Sequence, residues 1–262
     1  MYQDLGTILN GNKSKKNDII THTRIGNKKL NIFGGKYTIK DEDMDLFNKL
    51  YFKKVFTDGK YEFITEVQLK EEGPVLVDLD FRYNKDVETR MHTDDHIFDI
   101  VNAYVEELNN ILVIPNGSKF PIFILEKDEP NLLDEITKDG IHLIFGISLD
   151  RTLQIILREK ILERLDDIIE DLPLTNDNES IVDKGICYGH TNWQMFGSRK
   201  PEHDAYKLST HYVCVKNEDK WSFKKKKISI KCKLLGMISA RNKNHVKFDM
   251  SSKMEEEYKE KK

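Results

Sequence analysis

Asp78 and Asp80 stand two residues apart in the apolar run PVLVDLDF, Pro74 to Phe81. On a strand, period-two alternation sends both carboxylates to one face and Val77 and Leu79 to the other. Carboxylates that close repel unless one takes up a proton or a cation stands between them. An oxygen-preferring divalent cation, Mg²⁺ or Mn²⁺, is the usual resolution. A strand whose polar face meets water would leave the same pattern. The flanking Val75, Leu76, Val77, Leu79 and Phe81 predict a central strand, where exposed aspartates are less expected. Further on, DGIHLIF places His142 at the start of a second strand-like run, on the parity of Gly140; it is either a ligand or a satisfied structural histidine. Asp183 closes the short apolar stretch SIVD, and Gly197-Ser198-Arg199-Lys200 makes a small basic turn after Trp193 and Phe196. A glycine-opened turn with hydroxyl and cationic donors suits a polyphosphate, although an ordinary exposed turn has the same composition.

The elements that must position these residues are legible in part. Residues 1–20 read as a flexible lead-in. Short strands are expected near Lys29–Phe33 and Tyr37–Ile39, a helix over Asp43–Phe56 from the spacing of Met44, Phe47, Leu50, Tyr51 and Val55, and a strand over Tyr61–Leu69. Pro74–Phe81, Phe120–Leu125 and Ile141–Ile147 read as strands, and Asp94–Leu112 and Asp150–Ile169 as amphipathic helices. Strands are expected again near Ser180–Tyr188 and Tyr206–Lys216, then a short strand or helix past Lys220 and a solvated charged tail, SSKMEEEYKEKK, of linker type. The order strand, helix, strand, strand, helix, strand predicts an α/β (α+β) fold with helices on one side of a largely antiparallel sheet, the split βαβ pattern of RNA-recognition-type domains.

Composition narrows the function. The 262 residues can bury a substantial core, and 10% aromatic content argues against a disordered polyelectrolyte. No apolar run reaches bilayer length, and three cysteines (Cys187, Cys214, Cys232) make no disulfide framework, which points to a reducing, intracellular setting without membrane contact. Net charge is −3, and 34 of the 42 basic residues are lysine, so a polyanion binder would have to gather its lysines on one face. Lys28, Lys29, Lys36 and Lys224–Lys227 are candidates for phosphate-backbone contact, or simply solvated faces. Cys187-x-x-His190 and His211-x-x-Cys214 have zinc-ligand types, but all four fall in strand-like runs without a knuckle turn, so zinc is left out of the expected sites.

Taken together, VLVDLDF, DGIHLIF and SIVD resemble the three motifs of the archaeo-eukaryotic primase superfamily. THTRIGNKKLNIFGGKY, NWQMFGSRKP, the following YKL and LLGMISARN narrow the likeness to the primase domain of the primase–helicases of nucleocytoplasmic large DNA viruses, with eukaryotic primase-polymerases as cousins. The resemblance covers about residues 20–245. It implies a primase fold with an RNA-recognition-like catalytic sheet (core about 71–220) and a smaller N-terminal α/β module (about 21–70), with 246–262 leading toward a C-terminal helicase region. It implies template-directed nucleotidyl transfer on single-stranded DNA from nucleoside triphosphates, in viral replication in the host cytoplasm. Asp78, Asp80 and Asp183 would be the catalytic, metal-binding acids for Mg²⁺ or Mn²⁺. His142, Ser198, Arg199 and Lys200 would bind the nucleotide. Two departures stand out: Gly140 where the histidine motif often has serine, and Gln194 where a basic residue is common. They leave open a non-catalytic single-stranded nucleic-acid-binding module; a metal-dependent nuclease would need the same acids but has no use for a triphosphate-gripping turn.

Overall fold

Two hydrophobic faces of one long antiparallel sheet organise the chain, which the computed structural model describes over residues 2–218 and 220–262. The N-terminal part runs α1 (Leu5–Gly11), β1 (His22–Arg24), β2 (Gly35–Tyr37), α2 (Asp41–Phe52) and β3 (Ile64–Glu66). Next come β4 (Glu72–Asn84), α3 (Asp94–Ile111), β5 (Lys119–Glu126), β6 (Asn131–Leu132), β7 (Ile136–Asp150) and α4 (Arg151–Ile169). The chain finishes with α5 (Asn178–Ile181), α6 (Lys184–Cys187), β8 (Trp193–Gln194), β9 (Lys207–Asn217), β10 (Lys220–Lys225), α7 (Cys232–Met237) and α8 (Glu255–Lys261). The large sheet has the order β10-β9-β5-β7-β4, with β6 added beside β7; the small sheet has the order β2-β1-β3-β8. Every pairing within both sheets is antiparallel.

Strand alternation decides which side chains meet which layer. Val75, Val77, Leu79, Phe81 and Tyr83 of β4, with Ile141, Leu143, Phe145 and Ile147 of β7, pack against α3 and α4 in the first core. The opposite parity, Leu76 and Ile144 with Phe123 and Leu125 of β5, packs against α1, α2, α7 and the small sheet in the second. Each fully buried Phe, Ile or Leu contributes about 1.5–3 kcal/mol. The face expected to carry helices therefore carries α3 and α4, and the other is covered by the N-terminal layer. That layer is not contiguous in sequence, because β8 supplies its fourth strand.

Several local expectations are corrected. The lead-in holds α1, opened by an Asp4–Thr7 capping box and anchored by the buried Leu5, Ile8 and Leu9, so it is not flexible chain over these residues. Lys28–Leu30 is a single 3₁₀ turn at the tip of the β1–β2 hairpin, and not a strand. Asp43–Phe56 ends its α-helix at Phe52 and continues as a π-helical turn, Lys53–Thr57. Ser180–Tyr188 is not a strand: it forms two single turns of helix capped by Asp177 and Asp183. The charged tail carries α8, which docks on α4 through Lys160–Glu257 and Lys261–Glu159 ion pairs and a Tyr258–Asp150 hydrogen bond. Finally, β4 is the terminal strand of its sheet, not a central one. Among the described residues, no helix is long and apolar enough to cross a membrane.

Candidate active site

Because β4 ends the sheet, its outer edge needs partners. Residues 175–183 provide them without forming a strand. Thr175 N donates to Arg82 O at 2.8 Å, and Asn176 bridges the backbone of Asp80 and Arg82 at 2.9 and 3.0 Å. Asp183 N donates to Asp78 O at 3.0 Å. This seam carries Asp183 to the acid pair, and the Asp183 carboxylate then caps α6 by accepting from Gly185 N at 2.6 Å. Across the sheet, Asp78 pairs with His142 and Asp80 with Gly140. Asp78, Asp80, Gly140, His142 and Asp183 open onto one cavity of about 760 Å³, between the large sheet, β8 and the 199–206 segment, a volume suited to a nucleotide.

Charge is partitioned across this cavity in the order of the strands. The acids lie on the β4 side. His142 lies on β7, its ring stacked on Tyr206 (3.7 Å between centroids) and packed against Trp193 (4.3 Å), with Nε2 3.5 Å from Asp78 Oδ1. Lys127, at the end of β5, lines the cavity with Lys200 and His203. Burial, with the Asp183 and Asp80 carboxylates next in weight, pushes the Asp78 carboxyl up to about 7. Burial, assisted by Lys127 and Lys200, pushes His142 down to about 3, so its ring is neutral. Burial and then the Lys200 charge hold Lys127 below the usual lysine range. Below the site, Arg90 grips the fully buried Asp139 with two 2.8 Å hydrogen bonds and anchors the strand beside Gly140.

The carboxylates suit an oxygen-preferring cation in type and in charge: Asp78 is raised by burial first and then by its two fellow acids, an imbalance a cation relieves. They do not close on a common point. Among the described residues, no group of three or more His, Cys, Asp or Glu stands ready to hold a metal ion. Asp80 instead meets Arg82 at 2.8 Å and Lys138 at 3.3 Å, contacts that a bound cation would have to replace.

Of the residues expected at the site, Asp78, Asp80, Asp183, His142 and Lys200 line the cavity together. Ser198 does not. Its hydroxyl is 2.8 Å from Tyr51 Oη and accepts from Ile64 N at 3.0 Å, pinning the turn to the small sheet. Arg199 also points elsewhere, with its guanidinium 4.0 Å over the Tyr61 ring and 3.4 Å from Asp204. Gly197, at φ +86°, sets this turn, in which successive residues face different ways. Gln194 braces the same turn by donating to Ser198 O. Lys127, Lys138, Arg82, His203 and Tyr206 were not singled out; each is an isolated residue on a strand end or loop. The cysteine and histidine pairs do not converge, since His211 stacks on Phe123 on one face of β9 and Cys214 is buried in the first core on the other.

A two-layered antiparallel scaffold with acids and a histidine facing one nucleotide-sized cavity is the arrangement of an archaeo-eukaryotic primase domain. The family model described as the C962R protein N-terminal AEP (archaeo-eukaryotic primase) domain matches residues 26–212, and the chain belongs to this family. It is 33% identical over 188 residues to a protein of Acanthamoeba polyphaga mimivirus named "Putative helicase L207/L206". That alignment takes in 70% of this chain and 19% of the mimivirus protein.

Proposed function

We propose that this chain is a metal-dependent, template-directed nucleotidyltransferase: the primase or primase-polymerase domain of a viral primase–helicase, which adds nucleotides from nucleoside triphosphates to strands on single-stranded DNA. The observation that carries the reading is the lining of the cavity: Asp78, Asp80 and Asp183 gather on the β4 side, with Arg82 and Lys138 against Asp80, neutral His142 stands on the next strand, and Lys127, Lys200 and His203 lie beyond it. A triphosphate laid across it meets donors along its tail and leaves its α-phosphate at the acids.

Asp78, Asp80 and Asp183 would hold Mg²⁺ or Mn²⁺. When bound, such ions supply charge neutralisation at the α-phosphate and a lowered pKa for an attacking hydroxyl. The chain's own residues position the substrate and stabilise charge. Lys200 and Lys127 neutralise the triphosphate tail. His142, held neutral, serves as a fixed hydrogen-bonding group and not as a cation. Asn176 and the seam behind it hold Asp183 against Asp78. Lys28, Lys29 and Lys36 of the β1–β2 hairpin, and Lys224–Lys227, are exposed and would supply contacts to the DNA backbone. A linked helicase region in the natural protein is supported by the helicase name of the mimivirus relative.

One observation favours a second reading, a module that binds DNA without chemistry: Asp80 is already neutralised by Arg82 and Lys138. Thermal stabilisation separates the two. A nucleotidyltransferase gains stability from a nucleoside triphosphate only when Mg²⁺ or Mn²⁺ is present, and loses that gain in Asp78→Ala. A DNA-binding module is stabilised by single-stranded DNA and indifferent to the triphosphate.

A further inference from the structure

Tyr206 occupies a position that the reaction outlined above does not use. Its ring lies on His142, with planes 21° from parallel, and Lys127 Nζ stands 5.2 Å from the ring centre. The side chain lines the cavity and reaches over β7 to Gly140. A Cβ built on Gly140 would overlap the Tyr206 hydroxyl oxygen, whereas the ring carbon bearing that oxygen would stand at an ordinary 3.4 Å. Among the described residues, the phenols hydrogen-bonded to protein are those of Tyr51 and Tyr258. The Tyr206 hydroxyl has no such partner. A donor held in place by a stacked ring, left unpaired beside a cavity with cationic residues at one end, is prepared for an acceptor that arrives with the substrate.

We propose that the Tyr206 hydroxyl donates a hydrogen bond to a phosphate oxygen of the bound nucleoside triphosphate, above Gly140 and between the acids of β4 and the Lys127–Lys200 pair. The assignment rests on the nucleoside-triphosphate reading of this cavity. Gly140 is its complement: a residue without Cβ is what leaves room for the hydroxyl at this point of the floor. Burial, followed by the Asp78 and Asp80 charges, keeps the phenol protonated and therefore a donor. The bland alternative is that the ring merely covers His142, a task phenylalanine would do equally well.

The geometry supplies an exchange test. Tyr206→Phe keeps the stack and deletes the donor. It also clears the space in which a Cβ at position 140 fits, so Gly140→Ser in that background returns a hydroxyl to the same place. Binding of ATP, dATP and inorganic triphosphate, each with Mg²⁺, is measured by calorimetry on the whole chain, with melting curves confirming that each variant folds. Tyr206→Phe is expected to weaken all three probes roughly 10-fold, the scale of one hydrogen bond to a charged group. Gly140→Ser/Tyr206→Phe is expected to recover binding to within about threefold of the unaltered protein, while Gly140→Ser alone, which sets a side chain against the phenol, binds poorly. Unchanged binding in Tyr206→Phe would overturn the proposal, as would loss confined to ATP and dATP, or a double variant no better than Tyr206→Phe. No binding by the unaltered protein would instead overturn the triphosphate reading itself, and the Tyr206 contact with it.

Discussion

Asp78→Asn should stabilise the metal-free protein, and only above acidic pH. In the folded chain the Asp78 carboxyl is raised from 3.8 to about 7, chiefly by burial and then by Asp183 and Asp80. The folded state thus holds this proton more tightly than the unfolded chain does. The wild type therefore has its full stability from this group below about pH 4, loses it progressively up to about pH 7, and stays at the lower level above that. A shift of this size corresponds to about 4 kcal/mol at most. The side chain keeps 29% of its surface exposed, so solvent screening reduces the expected effect to about 1–2 kcal/mol. Asparagine has the same shape and no charge to bury. At pH 8 without divalent ions, Asp78→Asn should melt about 2–8 °C above the wild type, and the two should converge at pH 4. Adding Mn²⁺ should raise the wild-type midpoint and leave the variant nearly unmoved. Melting by circular dichroism across pH 4–9, with and without Mn²⁺, is the assay. Parallel pH profiles, or a variant less stable at pH 8, would refute the claim that crowded acids carry an unrelieved charge.

Three further outcomes follow from the geometry. Ser198→Ala should cost about 1–3 kcal/mol of stability, because Ile64 N and Tyr51 Oη lose a buried partner, and should leave the apparent KM for nucleotide unchanged; chemical denaturation beside steady-state kinetics checks both. Lys200→Ala should raise that KM about 10-fold while Arg199→Ala changes it less than about twofold, since only the first lines the cavity; equal effects would show that the turn is read wrongly. Asn176→Ala removes the bridge between the β4 edge and the Asp183 segment and should lower kcat more than it changes KM, with a stability loss of about 1–2 kcal/mol; an unaltered kcat would mean Asp183 needs no such positioning.

The acid pair and the histidine were legible because a strand encodes its faces in parity, and Asp78, Asp80 and His142 share the face that the apolar neighbours leave. Asp183 was a candidate from the sequence and lines the cavity with the pair, but its setting was misread. Asp177 and Asp183 each cap a single turn of helix, and so short a helix leaves no period to detect. The Ser198-Arg199-Lys200 turn shows a different limit: composition identifies a phosphate-like turn, yet which residue faces the cavity depends on Tyr51 and Tyr61, more than 130 positions away. Lys127 is one lysine among 34, and only the end of β5 beside Lys200 makes it distinctive. Two signals were present and missed. Asp4-x-x-Thr7 overlapping the apolar Leu5, Ile8 and Leu9 is a capped amphipathic turn, and EEEYKEKK places acids at the start and lysines at the end of a helix, as the dipole favours.

The central claim is that this cavity joins nucleotides, and labelled-nucleotide incorporation on single-stranded DNA tests it most directly. The reaction is run with and without a primer, with Mg²⁺, Mn²⁺ or chelator, using the wild type, Asp78→Ala and Asp183→Ala. Products are expected to require the metal and to disappear in both variants, with growth on unprimed template marking a primase. Products that persist in Asp78→Ala, or a wild type that binds the template and forms no product under any condition, would contradict it.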